Sequence, residues 1–560
     1  MLFRSVVYKT RFSSLRGSGA VLACPNALLE DVTYEHLFRG VSLSSLGNGE
    51  GPAPYNVTIR NCLFRNCLMG IEGRCMTGVG KKFQTAPIRG LVLDGNSFES
   101  VATPLILDNV ADDVRIIERP AALITVDPTT ETGPVKPVNG VGQPPMVGAP
   151  TSFDLMPYLK EAGIPYARLH DVGGPYGGSR YVDIPNLFRD FDADETRPES
   201  YSFAYTDALM RALAENGVEP FFRLGITIDN PVNAGYPGYF VDPPKDYAKW
   251  ARICEHVIRH YTEGWANGFR MKVGYWEIWN EPDNEPNPAR NPLWNAPFSE
   301  YVRLYGTVAS HLKAKFPNLK IGGYGSCGFY AAVGASRVAA GNSSSRLTYF
   351  VDCATNFLSA VRSNGWPLDF FSFHSYSKPS DALKQVGFAD RLLTDYGFPA
   401  EKTARVFNEW LPFAGRQNAG TALQAAGIAA ELIGLQNGPC DIACIYDARC
   451  ATGDYSPLFD PRTYTPRKAY SAYVAFNELR RLGTAVRCQS TDGDIAVAAA
   501  AKGGRVAVML ANPSDRSVRV SFAGVPEECL WFVTDETRTY RLTEAPDSLP
   551  PNSFFVAVKN

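Results

Sequence analysis

Two glutamates lie in similar short segments far apart in the chain. Glu281 lies in "YWEIWNEPDNEP", which starts at Tyr275, and Glu409 lies in "VFNEWLP". Each glutamate follows an asparagine and stands close to a tryptophan. A pair of carboxyl groups can cleave a glycosidic bond when one gives a proton to the leaving oxygen and the other, ionised, attacks the anomeric carbon. We therefore ask whether the fold brings these two side chains together.

Both glutamates come at the ends of predicted strands. The residues before Asn280 are aromatic and apolar with polar residues between them, which is typical of a strand. Pro282 has no backbone N–H to donate to a sheet, so the strand is expected to end near it. The segment "ARVFNEW" has the same character and ends beside Glu409. Each glutamate is therefore expected at the C-terminal end of a strand.

Strand and helix patterns alternate between residues 137 and 483. Helix-like segments, several of which end in glycine as a left-handed cap would, separate the strands. The predicted strands begin at Pro137, Tyr166, Pro220, Val273, Leu319, Asp369, Ala404 and Asp441. This pattern predicts a fold of the α/β class, a (β/α)₈ TIM barrel, in which the active site lies at the C-terminal ends of the strands. A doubly wound open sheet would require a GxGxxG turn or a P-loop after the first strand, and neither is present.

Residues 1–118 contain a repeat of about thirty residues. Each copy has an Asp, Asn or Gly turn, a large apolar residue and a second short apolar strand. The copies are "LEDVTYEHLFRGVSL" from Leu29, "IRNCLFRNCLMGIEG" from Ile59 and "LDGNSFESVATPLIL" from Leu93. Such a repeat predicts a short parallel β-helix or solenoid. The open end of a solenoid exposes unpaired strand edges, which another part of the chain, a second subunit or further residues would have to cover. A homo-oligomer formed through this segment is therefore one of the expected arrangements.

The chain after the barrel reads as antiparallel strands. Residues 484–560 contain short alternating segments such as "RVAVMLANP" and "VRVSFAG", which predict an antiparallel β-sandwich. Residues 119–136, before the barrel, are either a linker or one more strand of that sandwich.

Composition excludes some classes of partner. The 560 residues carry a formal net charge of −2, which gives no electrostatic reason to expect nucleic acid or an anionic membrane. No apolar run approaches the roughly 18–20 residues that cross a bilayer. The first residues lack a continuous apolar stretch of a signal peptide, and the compartment stays open, with a preference for a periplasmic or secreted protein. The twelve cysteines have no zinc-binding spacing, and free buried thiols are favoured over bridges.

The motif "WNEP" on the fourth strand with "NEW" on the seventh resembles clan A of the glycoside hydrolases. Within that clan the chain is most similar to family 39, which includes β-xylosidases and α-L-iduronidases. The resemblance implies that Glu281 is the general acid/base and Glu409 the nucleophile. It also implies that Asn280 donates to the sugar hydroxyl next to the anomeric carbon, and that neither a metal nor an organic cofactor is needed.

Other strand ends supply further candidates. The resemblance implies that an arginine lies at the end of the second strand and keeps the nucleophile ionised, because a nearby positive charge lowers a carboxylate pKa. In this sequence the segment "RLHD" places Arg168 at that position. We expect His170 to reach a substrate hydroxyl. The segment "FHSYS" ends the sixth strand with His374 and Tyr376, and the phenol of Tyr376 is expected to orient Glu409.

Two tryptophans are candidates for sugar binding. Trp279 and Trp410 are expected to stack on the sugar ring, although Trp279 has the alternative of pointing into the surrounding helices. Glu277 is expected in the inner layers of the barrel, paired with a cation such as Arg223. The glycine-rich segment "GGPYGGSR" from Gly173 is expected to form a loop over the sugar site.

The function expected from these residues is that of a retaining glycoside hydrolase. Its two carboxyl groups should be about 5–5.5 Å apart, against about 6.5–9.5 Å for an inverting pair. Family likeness favours exo action on short β-linked oligosaccharides, β-xylosides first. The alternatives are an inactive carbohydrate-binding protein, an endo-acting enzyme or one for arabinosides, galactosides or glucosides, and a polysaccharide lyase that acts through the repeats.

Overall fold

The computed structural model describes most of the chain. The described residues are 6–8, 10–13, 17–22, 24–45, 54–75, 88–108, 113–117, 121–145, 154–172, 182–228, 241–336 and 343–559. Within these ranges no helix is long and apolar enough to cross a membrane. The chain divides into two compact units: Met1–Leu123 with Ser514–Ser521 and Pro546–Pro551, and Ile124–Pro513 with Phe522–Ala545 and Asn552–Asn560.

Thirteen short strands make up most of the first unit. They form three parallel sheets, in the orders β1-β4-β7-β10-β13, β11-β8-β5-β2 and β12-β9-β6-β3, so that three successive strands complete one turn. The strands are β1 (Val6–Tyr8), β2 (Arg11–Ser13), β3 (Ser18–Leu22), β4 (Leu28–Glu30), β5 (Thr33–Glu35), β6 (Arg39–Ser45), β7 (Thr58–Arg60), β8 (Leu63–Arg65), β9 (Met69–Cys75), β10 (Val92–Asp94), β11 (Ser97–Glu99), β12 (Thr103–Asp108) and β13 (Arg115–Ile117).

Aromatic rings stack from turn to turn inside this unit. Adjacent ring centroids are 4.8 to 5.4 Å apart and the rings are nearly parallel, in the order Phe12, Tyr34, Phe64, Phe98. Gly70 lies against the last ring, and a Cβ there would stand 2.6 Å from a Phe98 ring carbon and 2.4 Å from the carbonyl oxygen of Pro104. The packing of the rings therefore requires glycine at position 70.

A closed barrel of eight parallel strands forms the centre of the second unit. The long strand β14 (Ala122–Pro134) precedes it in the chain. The barrel strands are β15 (Gly140–Gly142), β16 (Tyr166–Leu169), β17 (Glu219–Leu224), β18 (Tyr275–Ile278), β19 (Lys320–Ser326), β20 (Phe370–Ser375), β21 (Ala404–Trp410) and β22 (Ile442–Ile445). Each matches one of the eight predicted strands, so the predicted α/β barrel is confirmed.

Helices lie between the barrel strands in the chain. They are α1 (Met156–Glu161), α2 (Ile184–Leu187), α3 (Ala204–Glu215), α4 (Tyr247–Thr262), α5 (Phe298–Lys315), α6 (Tyr330–Val333), α7 (Ser344–Asn364), α8 (Pro379–Asp395) and α9 (Ala422–Asn437). Three short 3₁₀ turns occur at Pro198–Ser200, Trp265–Asn267 and Pro288–Arg290. The short strands β23 (Phe459–Asp460) and β24 (Thr465–Pro466) pair with each other before α10 (Lys468–Leu482).

The C-terminal strands pair antiparallel, as the sequence predicts. They are β25 (Thr484–Ser490), β26 (Ala496–Lys502), β27 (Arg505–Asn512), β28 (Val518–Ala523), β29 (Leu530–Thr534), β30 (Arg541–Thr543), β31 (Ser548–Leu549) and β32 (Ser553–Lys559). One sheet runs β30-β29-β32-β27-β26-β25-β14, and helices α9 and α10 pack against β26 and β27. The strand β14, which precedes the barrel in the chain, pairs antiparallel with β25.

Side chains on the barrel strands alternate between two environments, because successive residues of a strand point to opposite faces. On β18, Trp276 and Ile278 join the main hydrophobic core. Tyr275 packs in a separate cluster that includes Phe221 and Phe370, inside the barrel. Glu277, two residues after Tyr275, therefore also faces the interior, and it is fully buried.

Candidate active site

The chain turns sharply after β18. Trp279 and Glu281 both have positive φ angles, 74° and 44°, which residues other than glycine rarely adopt. Two hydrogen bonds hold this turn: the N–H of Trp279 donates to the Leu224 carbonyl (2.7 Å), and that of Glu281 donates to the Gly325 carbonyl (3.0 Å). Neighbouring strands thereby fix the backbone that carries Glu281.

The barrel brings the two predicted glutamates together. The Nδ1 atom of His374 lies 2.8 Å from Oε1 of Glu281 and 3.6 Å from Oε2 of Glu409. One oxygen of each carboxyl group and a ring nitrogen of the histidine all lie within 4.8 Å of one another. Both glutamates are buried, with 5% of each residue exposed. The two acids are thus close enough to act on one bond.

Arg168 connects the nucleophile candidate to two other side chains. Its Nη1 donates to Oε2 of Glu409 (3.0 Å), its Nε donates to Oε2 of Glu277 (2.8 Å), and its Nη2 donates to Oδ1 of Asn280. The guanidinium is 1% exposed, and the two carboxylates raise its pKa against the opposing effect of burial. Arg168 is therefore a fixed cation beside Glu409, in the position that the sequence predicts.

The structure corrects the predicted partner of Glu277. Glu277 is paired with Arg168, and its other oxygen accepts from Ser372 Oγ (2.6 Å) and Asn408 Nδ2 (2.7 Å). Arg223 pairs instead with Asp183, through Nη2 to Oδ1 at 2.5 Å. The pairing of Glu277 with Arg223 was therefore wrong, because two arginines face the barrel interior and sequence spacing does not choose between them.

Glu409 receives hydrogen bonds at both oxygens. The hydroxyl of Tyr376 donates to Oε1, opposite the Arg168 bond to Oε2. Burial raises the pKa of Glu409 above its usual range, whereas His374, Arg168 and the hydrogen bond from Tyr376 all lower it. Removal of any of these three groups would favour the protonated form, which cannot act as a nucleophile.

Asn280 is oriented by the same arginine. A guanidinium has only donors, so the oxygen of the Asn280 amide must face Arg168. The Nδ2 group is then left as a donor on the other side. This orientation suits the predicted role of Asn280, donation to a sugar hydroxyl.

His170 lies two residues beyond Arg168, where its side chain follows the same face of the strand. It is 3% exposed, and its Nε2 lies 3.4 Å from Oδ2 of Asp171. Burial, with Arg168 and Arg223 nearby, holds the pKa of His170 well below its usual value. Its Nδ1 has no hydrogen-bond partner among the described residues. The neutral ring thus leaves one nitrogen for a ligand.

Both tryptophans are buried against other aromatic side chains of the protein. The ring of Trp279 packs against Trp294 (5.0 Å between centroids) and against Trp250 on α4 (6.0 Å), and its Nε1 donates to the Leu293 carbonyl. Trp410 is fully buried and stacks on Phe407. Both predictions of stacking were therefore wrong. The alternative for Trp279, the helix layer, is the one that the structure has.

Two residues near Glu281 were not predicted. Asn284 Nδ2 donates to Oε2 of Glu281 (2.7 Å), and Arg346 on α7 donates to Oδ1 of Asn284 (2.9 Å). Asn284 lies in the quoted segment around Glu281, so proximity in sequence was a usable signal. Arg346 is 62 residues further along the chain, and nothing in its local sequence indicates this contact.

The eighth strand adds a polar cluster to the same end of the barrel. Tyr446 Oη donates to Oδ2 of Asp171 (2.7 Å), and its ring stands edge-on to Tyr376. Asp447 pairs with Arg449 (2.8 Å), and burial raises the pKa of Asp447 to about 7. The predicted glycine-rich loop, with Tyr176 and Arg180, lies outside the described residues.

The possible metal-ligand atoms of Glu281, His374 and Glu409 lie close enough together to be considered as a metal site. The hydrogen bonds from Arg168 and Tyr376 already occupy both oxygens of Glu409. An arginine cation beside a metal ion would also be unfavourable. The arrangement fits proton transfer and nucleophilic attack, and we assign no metal to it.

Comparison with known proteins places this geometry in a family. Residues 161–410 match glycosyl hydrolases family 39. The family 39 segment contains both glutamates and every side chain described above that contacts them. This match confirms the resemblance seen in "WNEP" and "NEW".

A curated relative and two solved structures agree with the family 39 match. A β-xylosidase of Geobacillus stearothermophilus is 26% identical over 219 residues, which are 37% of this chain and 38% of that protein. A glucosidase from Croceicoccus marinus has a TM-score of 0.61 at 17% identity over 79% of this chain and 99% of its own. A family 39 β-xylosidase from Caulobacter crescentus has a TM-score of 0.55 at 18% identity over 78% and 99%. The solved structures show the fold of the barrel and no more.

Proposed function

We propose that this chain is a retaining glycoside hydrolase that cleaves β-linked glycosides from an end, with β-xylosides as the first substrate to test. The observation that carries the proposal is the pair Glu281 and Glu409, which both lie near His374 and have one oxygen of each carboxyl group within 4.8 Å of the other. An inverting pair needs about 6.5–9.5 Å to hold a water between the carboxyl groups and the sugar, so the shorter separation favours a retaining mechanism.

In the first step Glu409 attacks the anomeric carbon. Arg168 and Tyr376 favour its ionised form, which the attack requires. Glu281 gives its proton to the glycosidic oxygen as the bond from that oxygen to the anomeric carbon breaks. A glycosyl ester of Glu409 and a free leaving group result.

In the second step Glu281, now ionised, takes a proton from water. The water oxygen attacks the anomeric carbon, and the ester bond to Glu409 breaks. The sugar leaves with its original anomeric configuration, because two displacements have occurred at one carbon. Asn280 Nδ2 supplies a donor for the neighbouring sugar hydroxyl in both steps.

The choice of sugar rests on the comparisons with known proteins. The curated relative is a β-xylosidase, and this chain spans about 38% of its length. One of the similar solved structures is a glucosidase and another a β-xylosidase. A β-xyloside is thus the default, and glucosides, galactosides and arabinosides belong in the same assay.

The test is hydrolysis of a panel of nitrophenyl glycosides by the wild type and by Glu409→Ala, with azide added to the variant. We expect one glycoside to be cleaved, the variant to be inactive, and azide to restore turnover as a glycosyl azide of inverted configuration. Glu263→Ala, an exposed acid on the helix side of the barrel, serves as the matched control and should keep the wild-type rate.

Two results would contradict the proposal. Equal cleavage by the wild type and Glu409→Ala would exclude Glu409 as the nucleophile. A wild type that cleaves no glycoside in the panel and no oligosaccharide, yet binds one, would favour the alternative of an inactive carbohydrate-binding protein.

A further inference from the structure

A chain of hydrogen bonds leads from α7 to Glu281. Arg346, in the first turn of α7, donates from Nε to the carbonyl oxygen of Asn284 (2.8 Å) and from Nη2 to its Oδ1 (2.9 Å). The Nδ2 of Asn284 donates to Oε2 of Glu281 (2.7 Å). The mechanism above uses neither Arg346 nor Asn284.

The direction of this chain is fixed by chemistry. A guanidinium offers donors only, so the amide oxygen of Asn284 must face Arg346, and the amide NH₂ must then face Glu281. Without the arginine the amide could turn over and present its oxygen to the carboxyl group.

Both residues are held in place. Arg346 is 12% exposed at its side chain and lies over the ring of Phe350, 5.2 Å from the centroid. The backbone N–H of Asn284 donates to the carbonyl of Glu281 (3.0 Å), which closes a turn between the two residues. The amide is therefore positioned before substrate arrives.

The two oxygens of Glu281 consequently differ. Oε2 accepts a hydrogen bond from a donor that cannot accept one in return. Oε1 lies 2.8 Å from His374 Nδ1, and that nitrogen is also 3.6 Å from Glu409. A proton on Oε2 of Glu281 would clash with the Asn284 NH₂, whereas a proton on Oε1 can be donated to Nδ1 of a neutral His374, which lies 2.8 Å away.

We propose that Asn284, oriented by Arg346, is a positioning residue for the acid/base: it keeps Oε2 as an acceptor, so that the transferable proton lies on Oε1. This inference rests on the proposed function. In the first step the proton passes from Oε1 to the glycosidic oxygen while the Glu409 ester forms. The Asn284 N–H then stabilises the carboxylate that remains, since hydrogen bonds to charged groups are the strong ones.

Other charged and titratable groups also act on Glu281. They are His170 just after β16, Asp283 in the turn after β18, His374 on β20, Tyr376 just after β20 and Glu409 on β21. None of them is altered in the variants below. A difference in pH dependence between variant and wild type therefore reports the Asn284 bond.

The experiment compares two glycosides of one sugar, with a dinitrophenyl and an alkyl leaving group. A dinitrophenolate leaves without protonation, whereas an alkoxide needs the acid. For Asn284→Ala we expect kcat/KM to fall about tenfold or more on the alkyl glycoside and less than about twofold on the dinitrophenyl one. The basic limb of the pH profile should move up by about one pH unit, because loss of the donor disfavours ionisation.

Arg346→Met gives the second measurement. It should shift both quantities in the same direction by a smaller amount. In leaving-group dependence the double variant should match Asn284→Ala alone, because Arg346 reaches Glu281 through the amide of Asn284. Arg290→Ala, which removes an exposed guanidinium bonded to Glu285 in the same loop, is the control and should behave as the wild type.

Several outcomes would overturn the inference. One is an Asn284→Ala variant that loses activity equally on both glycosides with an unmoved pH profile, since that is a structural effect. Another is additive losses in the double variant. If Asn284→Ala does not fold, an Arg346→Met variant with no leaving-group dependence decides against the proposal. Glu281→Ala is measured alongside: if it shows strong leaving-group dependence and Asn284→Ala shows none, only the positioning role fails, and the proposed function stands.

Discussion

Replacement of Tyr376 by phenylalanine removes one hydrogen-bond donor from Glu409 and little else. The hydroxyl donates to Oε1 of Glu409. The ring packs edge-on against Tyr446 (6.1 Å between centroids) and Tyr455 (5.1 Å), and phenylalanine keeps both contacts. The backbone N–H of residue 376 still donates to the hydroxyl of Tyr330 (2.9 Å). The change is therefore one of chemistry rather than of packing.

The size of the effect follows from the single bond lost. A hydrogen bond to a charged group contributes about 1.5–3 kcal/mol, and one pKa unit corresponds to about 1.4 kcal/mol. Burial already raises the pKa of Glu409, and the Tyr376 bond opposes that rise. Its removal should raise the pKa by about 1–2 units further. Because Glu409 must be ionised to attack, the acidic limb of kcat/KM should move to higher pH by that amount.

The assay is kcat/KM on a nitrophenyl glycoside across the pH range, with a thermal melt of each protein. Tyr205→Phe, at a residue 69% exposed on α3, is the control and should leave the profile unchanged. A Tyr376→Phe profile that coincides with the wild type, or an acidic limb that moves to lower pH, would refute the claim that Tyr376 stabilises the ionised nucleophile.

Three further changes test other parts of the structure. Both carboxyl oxygens of Glu431 are buried with no partner among the described residues, and burial raises the pKa of this carboxyl group. Glu431 therefore destabilises the fold increasingly as pH rises above about 4. Glu431→Leu should raise the free energy of unfolding in urea by about 1–3 kcal/mol at pH 7 and by less at pH 4, and no gain at pH 7 would contradict this. Trp410→Ala should cost about 3–5 kcal/mol of stability with KM unchanged, whereas a sugar-stacking residue would raise KM and leave stability intact. Gly70→Ala should lower stability by about 1–3 kcal/mol in a thermal melt, since its Cβ would stand 2.4 Å from the Pro104 carbonyl oxygen, and an unchanged melt would show that the turn can shift.

The sequence predicts the barrel and the two acids because both depend on local patterns. Apolar runs mark the strands, and the C-terminal ends of parallel strands meet at one end of a barrel. Any polar residue at such an end, as in "WNEP" or "NEW", is then close to the others. Tyr376 was predicted from its position at such a strand end and Arg168 from the family resemblance, and in the structure both donate to Glu409.

The direction of the tryptophans could not be predicted in this way. Trp279 adopts a positive φ, which interrupts the alternation of the strand, and the register of β21 with β22 shifts between Phe407 and Trp410. Both irregularities arise from tertiary contacts. For Trp410, simple alternation from Glu409 would have predicted a side chain that points outwards.

Pairings across the barrel were also beyond the sequence. Glu277 could meet either of two interior arginines, and the structure pairs it with Arg168. The Arg346 contact depends on where α7 begins relative to the turn after β18, which no local pattern specifies. The structure, by contrast, supplies both pairings directly.

The contact of His374 with both acids has a consequence for how charge moves during the proposed cycle. Before reaction Glu409 is negative and Glu281 is neutral; in the ester intermediate Glu409 is neutral and Glu281 is negative. The two acids together therefore carry one unit of negative charge throughout, and only its location alternates. His374 Nδ1, at 2.8 Å from one acid and 3.6 Å from the other, is within reach of that charge in both states. The surrounding groups therefore need little rearrangement between the two half-reactions, because the net charge of the two acids is the same in each.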